Sequence, residues 1–350
     1  MKRTFYLDLA HSRLRMPIGT HLVLAEQPDH DACLEDGEKL GQVMIETARR
    51  FKTPLAFPLM DLMVEKQQML SMLDIPADQA DTFHFSPGPD PDALDRVRAA
   101  ISRPVIPRLA VYADAIRHVA KEPDILPLGM AIGPFSLMTK LLADPITGLY
   151  LAGTGLTRDE DEEVAAIEDC VALATEVIER SLKLQLEAGA KAICLCEPAA
   201  NLVYLSPHQL AQGADTFERF VMQPNQRLRQ VLADHDADLI FHDCGELTDD
   251  MVRAFCTLNP SILSLGSSRQ LWQDAAIVPN DIVLFGNLPT KKFYSDAELP
   301  VPVVEQMTRD LATRMAETEH PFILGSECDV LSVPGREQAI MEKVMAFLAA

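Results

Sequence analysis

Short apolar runs recur along the chain, and each is followed by polar or turn-forming residues. Most are almost continuously apolar, which is typical of parallel strands buried on both faces. Eight runs qualify: "HLVLA" from 21, "PLAFPLMD" from 54, "ILPLGMAIGP" from 125, "KAICLCEP" from 191, "ADLIFHDC" from 237, "ILSLG" from 262, "DIVLFGNL" from 281 and "PFILGSEC" from 321. The pattern therefore predicts eight strands.

Helical patterns separate these runs. The clearest one is preceded by Thr157, which we expect to cap the helix with Glu160 in the capping-box position, and it ends at Gly189. The stretches 62–124 and 135–190 are longer than one helix requires, so extra helices are expected there. Eight strands alternating with helices predict an α/β fold, a (β/α)8 TIM barrel with additional N-terminal helices, as a single domain over 1–350.

Composition and charge narrow the classes of function. A net charge of −21 repels phosphate backbones and argues against nucleic-acid binding. No apolar run approaches the ~18 residues that span a bilayer, and the N-terminus lacks a secretory apolar segment, so we expect a cytoplasmic protein without a membrane anchor. Seven scattered cysteines do not form a disulfide framework, and reduced thiols are expected, some available to a metal.

Residues of metal-ligand type lie at the ends of two predicted strands. His242 and Cys244 are two apart and so face the same side of the fifth strand, and Cys328 ends the eighth. In a closed barrel these side chains converge at the carboxyl end of the strands, where barrel enzymes carry their active sites. Two thiolates and an imidazole suit Zn²⁺, and three ligands leave one position open, as in catalytic zinc sites. The alternative is that the cysteines are buried packing residues.

Three further strand-end residues have two interpretations each. Glu197 is a candidate catalytic residue, as a fourth zinc ligand or a base, or else it caps a helix. Asp61 is a candidate substrate-binding residue or a helix cap. Asn287 either binds substrate or a metal ligand, or is a turn residue. If Glu197 points to the barrel axis, Cys194 and Cys196 point towards the helices and belong to the core.

Several motifs resemble the uroporphyrinogen decarboxylase superfamily, and specifically its zinc-dependent corrinoid methyltransferase branch, typified by methylcobamide:coenzyme M methyltransferases. The resemblance covers the chain from about residue 180 to the end. It is carried by "FHDCGELTDDM", "VLFGNL" and "ILGSECDVLSVPGREQAIMEKVMAFL". The family residues correspond to His242, Cys244 and Gly245, to Gly286 and Asn287, and to Cys328 with Pro334.

Two departures qualify this resemblance. Glu327 stands before the cysteine where the family often has glycine. The decarboxylases proper carry an arginine-rich N-terminal signature that holds porphyrin carboxylates, and the nearest arginines here, Arg13 and Arg15, do not match its spacing. The resemblance therefore implies a methyltransferase rather than a porphyrinogen decarboxylase.

The resemblance implies a zinc enzyme that moves a methyl group between a corrinoid (cobalamin) and a small substrate, with the corrinoid presented by a carrier protein. His242, Cys244 and Cys328 would hold the metal, and a thiol acceptor is favoured although the opposite direction stays open. Two alternatives remain. One is a homocysteine methyltransferase of the cobalamin-independent type, and the other is a tetrapyrrole- or corrinoid-binding protein with structural zinc.

Overall fold

The computed structural model describes residues 3–350 and contains eight parallel strands. Their order is β1-β8-β7-β6-β5-β4-β3-β2, which is the circular order of a (β/α)8 barrel and confirms the predicted fold. The strands are β1 (Arg15–Ile18), β2 (Leu55–Ala56), β3 (Leu126–Ile132), β4 (Ala192–Cys196), β5 (Asp238–Asp243), β6 (Ile262–Leu265), β7 (Val283–Leu288) and β8 (Phe322–Asp329). Seven of the eight predicted apolar runs contain strands.

The prediction of the first strand is wrong. The run from 21 belongs to a helix, and the strand is the preceding segment Arg15–Ile18. Side chains link β1 to β2. Thr53 Oγ1 donates to the Met16 sulfur over 3.3 Å, and Thr20 Oγ1 donates to the Phe57 carbonyl over 2.6 Å. The strand "RMPI" has only four residues and begins with Arg15, so it does not stand out as an apolar run.

Helices surround the sheet, and the long connections after β2 and β3 carry several each, as predicted. They are α1 (Thr4–His11), α2 (Thr20–Ala25), α3 (His30–Cys33), α4 (Gly37–Arg50), α5 (Val64–Met72), α6 (Ala93–Ala99), α7 (Pro107–Val119), α8 (Pro134–Leu141), α9 (Pro145–Gly153), α10 (Glu162–Glu187), α11 (Pro207–Ala211), α12 (Gln223–Asp234), α13 (Asp249–Thr257), α14 (Leu271–Asp274), α15 (Val301–Thr318) and α16 (Glu337–Ala349). Single turns of 3₁₀ helix occupy Ala77–Gln79 and Thr290–Lys292, and a π-helical turn occupies Glu218–Met222.

The start of α10 differs from the prediction. Asp161, not Thr157, is the N-cap, and its carboxylate accepts hydrogen bonds from the Glu163 and Val164 amides. Thr157 does pair with Glu160, since its amide and hydroxyl both donate to that carboxylate, but this pair closes a turn before the helix. Gly189 ends the helix with a φ of 110°, as predicted.

Two apolar clusters fill the molecule, one between strands and helices and one inside the barrel. The inner cluster includes Met130, Ile240 and Phe285. Tyr6 of α1 joins this cluster, and its hydroxyl donates to Asp238 at the first residue of β5 over 3.0 Å. Helix α1 therefore covers the amino end of the barrel, and the carboxyl end remains for a functional site.

Candidate metal centre

Three predicted side chains converge at the carboxyl end of the barrel. One ring nitrogen of His242 and the Sγ atoms of Cys244 and Cys328 lie within 4.8 Å of one another. His242 is the last but one residue of β5, Cys244 follows β5 directly, and Cys328 is the last but one residue of β8. His242 is buried and the two cysteines are half-buried.

The alternation of β5 sets the direction of His242. Leu239 and Phe241 pack outwards against the helices, so Ile240 and His242 face the barrel axis. The His242 Nδ1 atom pairs with the Ser264 hydroxyl over 2.8 Å, and Ser264 is its neighbour in the strand register. Among residues 3–350, His242 Nε2 has no hydrogen-bond partner although it is buried. A buried imidazole with one nitrogen anchored and the other free is the arrangement of a metal ligand.

An irregularity in β8 directs Cys328 to the site. Met16 pairs with Gly325 whereas Ile18 pairs with Asp329, so two steps along β1 correspond to four along β8. Since Ile323 faces the axis, strict alternation would turn Cys328 outwards. The bulge turns the Cys328 side chain towards the barrel axis, and the Cys328 Sγ lies 3.7 Å from the Met60 sulfur.

The charges around the site favour a thiolate at Cys244. The Cys328 thiol is the largest influence that lowers the pKa of Cys244, to about 3, and His242 and Lys291 add to it although burial opposes it. The pKa of Cys328 is correspondingly raised by its hydrogen bond to Cys244. Burial alone would lower the pKa of His242, but the Cys244 thiolate outweighs burial and raises it.

These residues fit a zinc ion. Two sulfurs and one imidazole nitrogen form a donor set that Zn²⁺ prefers. The three atoms lie within 4.8 Å of one another, so a small contraction would let one ion bind all three at about 2.0–2.3 Å. The buried Nε2 atom of His242, which has no partner among residues 3–350, is free to serve as a metal ligand. If these three side chains bind the ion, a fourth position would stay open, as in catalytic zinc sites.

Glu197 does not join this cluster, and the predicted orientation of β4 is wrong. Ile193 and Leu195 pack outwards, so Cys194 and Cys196 face the axis and Glu197 faces the helices. Its carboxylate accepts from the Ser136 amide over 2.8 Å and from the Asn225 amide group over 2.8 Å. Burial raises the pKa of Glu197, and these hydrogen bonds partly offset that effect. The geometry thus fits the helix-cap interpretation, at the first turn of α8, and not a ligand or base at the metal.

Cys194 and Cys196 lie inside the barrel beneath the predicted metal ligands. Their Sγ atoms are 3.8 Å apart, and both side chains are buried. Cys196 is the register neighbour of His242. They belong to the apolar core, as expected, but to its inner cluster rather than to the outer one.

The two predicted substrate-binding residues have structural partners. Asp61 Oδ2 accepts from Arg108, with Nη2 at 3.0 Å, and Asp61 Oδ1 accepts from the Met63 amide before α5. The Asn287 side-chain amide donates to the carbonyls of Gly266 over 2.8 Å and Arg269 over 2.9 Å. Asn287 therefore secures the loop after β6, and its role towards a substrate stays a prediction.

Sequence reasoning missed several polar residues around the centre. His21, at the start of α2, pairs with Asp329, the residue after Cys328. Lys291 donates to Cys244, and Ser264 supports His242. His21 was missed because the run that begins with it was predicted to be a strand. The alternation of "ILSLG" places Ser264 on the same face as Ile262, which was a signal for an inward hydroxyl.

Comparisons with known proteins agree with this architecture. The sequence model of the family described as uroporphyrinogen decarboxylase (URO-D) matches residues 21–347. No curated protein matches significantly. Among solved structures, the chain is similar to a methyltransferase from Methanosarcina mazei, with a TM-score of 0.65 and 16% identity over 95% of this chain and 92% of that chain. At that identity the likeness is one of fold.

Proposed function

Because this chain belongs to the uroporphyrinogen decarboxylase family, we propose that it is a zinc-dependent methyltransferase that moves a methyl group between a corrinoid and a small thiol. The family match and the fold of the Methanosarcina mazei methyltransferase support an enzyme of the methyltransferase- or decarboxylase-like type. One observation carries the finer assignment, namely the convergence of His242, Cys244 and Cys328 at the carboxyl end of the barrel.

Each side chain at this centre would have a different role. Zinc, when bound, would lower the pKa of a thiol in the open position and orient its sulfur. Cys244 and Cys328 would hold the ion as thiolates, which makes the site electron-rich. Ser264 holds the ring plane of His242 through Nδ1 and leaves Nε2 to the ion. Two sulfur ligands favour the direction in which the thiol is the methyl acceptor and the corrinoid, free or on a carrier protein, is the donor.

The positions of the N-terminal arginines argue against a porphyrinogen decarboxylase. Arg15 starts β1 at the amino end of the barrel, and its guanidinium donates to the Phe347 carbonyl over 3.0 Å. Arg13 lies in the turn before β1. Both are at the end opposite the proposed metal centre, so neither reaches a tetrapyrrole carboxylate at the mouth.

A methyl-transfer assay tests the proposal. Zinc-loaded protein is mixed with methylcobalamin and a panel of thiols, and the loss of the methylcobalamin absorption band is followed. We expect one thiol class to accept the methyl group, and the Cys244→Ala/Cys328→Ala variant to lose transfer. Cys256→Ala, a half-buried cysteine on α13 away from the site, is the matched control and should keep the wild-type rate. Equal rates in the double variant and wild type would contradict the proposal.

The same assay decides the direction. If no thiol accepts a methyl group, but a methylated substrate donates one to reduced cobalamin, the thiol-acceptor part of the proposal is wrong. Loss of that reverse transfer in the double cysteine variant would still place the reaction at Cys244 and Cys328.

A further inference from the structure

Lys291 contacts Cys244, a predicted metal ligand, and the proposed function assigns no role to this contact. Its Nζ donates to the Cys244 sulfur over 3.2 Å. No carboxylate among residues 3–350 forms an ion pair with Lys291. Its side chain is partly exposed at the mouth of the barrel, so the ammonium group lies between solvent and the predicted metal ligands.

We propose that Lys291 is a charge-balancing residue that stabilises an anionic sulfur ligand in the open metal position. The inference rests on the proposed function, since it concerns what enters that position. Zn²⁺ with two thiolates and a neutral imidazole carries no net charge. A thiol that enters this position would release its proton to solvent and give the centre one negative charge, which the ammonium of Lys291 would balance.

Hydrogen bonds to the Glu327 carboxylate fix the backbone around Lys291. The Lys291 amide donates to Glu327 Oε1 over 3.4 Å, and the Ser267 amide donates to Glu327 Oε2 over 3.1 Å. Glu327 precedes Cys328, so it ties the loops after β6 and β7 to the strand that carries a metal ligand. This accounts for an acid where the resembled family often has glycine, and it gives the Lys291 side chain a fixed origin.

The effect of Lys291 on the affinity for an anionic sulfur ligand depends on the distance between the ammonium group and that sulfur. Two sulfurs of a tetrahedral zinc site lie roughly 3.8 Å apart. The ammonium lies 3.2 Å from Cys244, so it would be within about 7 Å of a sulfur in the open position. At that separation and with partial solvent screening, one positive charge changes the affinity for an anionic ligand by about tenfold. A neutral ligand should not respond.

The experiment uses Co²⁺ in place of zinc because its absorption reports each bound sulfur. The full-length protein is saturated with Co²⁺ and titrated with 2-mercaptoethanol, a thiol without a charge of its own, and separately with imidazole. Lys291→Met removes the charge at similar size, and Lys291→Arg keeps it. Lys292→Met changes the next exposed lysine of the same turn, which does not contact Cys244, and is the matched control.

We expect Lys291→Met to bind the thiol about tenfold more weakly, and Lys291→Arg and Lys292→Met to bind it as wild type does. Imidazole affinity should be the same in all four proteins. Unchanged thiol affinity in Lys291→Met, an equal loss of thiol and imidazole affinity, or the absence of cobalt binding in wild type would each overturn the inference. A wild-type protein that binds cobalt and thiol but transfers no methyl group would contradict only the proposed function.

Discussion

At the scale of single residues, Glu197 shows that the role of a residue just after a strand depends on the direction in which its side chain points. It is fully buried and accepts three hydrogen bonds, from the Phe135 and Ser136 amides and from Asn225. A carboxylate at the first turn of a helix also interacts favourably with the helix dipole. Its contribution is therefore to stability rather than to the metal.

Replacing Glu197 with alanine should destabilise the fold and leave metal binding intact. Three buried donors would lose their acceptor, which costs about 2–4 kcal/mol. Urea unfolding would measure the change, and Glu187→Ala, an exposed acid at the end of α10, should change the free energy of unfolding by less than about 0.5 kcal/mol. A folded Glu197→Ala protein that no longer binds zinc would show that the carboxylate does serve the metal.

Glu65 is a second buried acid, and it makes stability depend on pH. Its Oε1 accepts from the Ser181 hydroxyl over 2.8 Å, whereas Oε2 has no partner among residues 3–350. Burial raises the pKa of Glu65 from 4.5 to about 7. The folded state therefore holds this proton more tightly than the unfolded state does. The resulting stability is full below pH 4.5 and is lost as pH rises to about 7.

Glu65→Gln should remove this dependence, because an amide does not ionise in this range. The difference in unfolding free energy between variant and wild type should grow between pH 4.5 and 7 in favour of the variant, by at most about 3 kcal/mol, and stay constant above. Urea titrations from pH 4.5 to 8 would follow it. A difference independent of pH would mean that Glu65 is already ionised in the folded protein.

At the scale of secondary structure, the apolar pattern predicted seven of eight strands and the alternation on β5 that joins His242 to Cys244. Two features escaped it. The phase of β4 depends on which residues pack against helices, and "AICLC" is apolar on both faces. The bulge in β8 that brings Cys328 inwards arises from pairing with β1, a contact between residues far apart in sequence. Tertiary contacts, rather than local pattern, decided both.

The start of α10 offers a test at this scale. Asp161→Ala should lower the free energy of unfolding by about 1 kcal/mol, since it removes the acceptor for two amides of the first turn. Thr157→Ala alters only the exposed turn before the helix and should change it by less than about 0.5 kcal/mol. Thermal or urea unfolding of both variants would compare them, and a larger effect at Thr157 would restore the capping box as the start of the helix.

At the scale of the whole molecule, the barrel explains why distant motifs form one site. Strands β5 and β8 are not adjacent in the sheet order, and only closure places their carboxyl ends around one mouth. The strand count and the family resemblance pointed to this fold independently, and both are confirmed. No helix among residues 3–350 is long and apolar enough to cross a membrane. The corrinoid and its carrier protein stay predictions of the proposed function.

X-ray absorption at the zinc edge, on protein loaded with zinc and freed of excess metal, tests the central claim most directly. The account predicts about one zinc per chain with two sulfur neighbours at about 2.3 Å and one imidazole nitrogen at about 2.0 Å. Adding the accepted thiol should raise the sulfur number to three. A wild-type protein that retains no zinc, or a Cys244→Ala/Cys328→Ala variant that retains it with the same spectrum, would contradict the account.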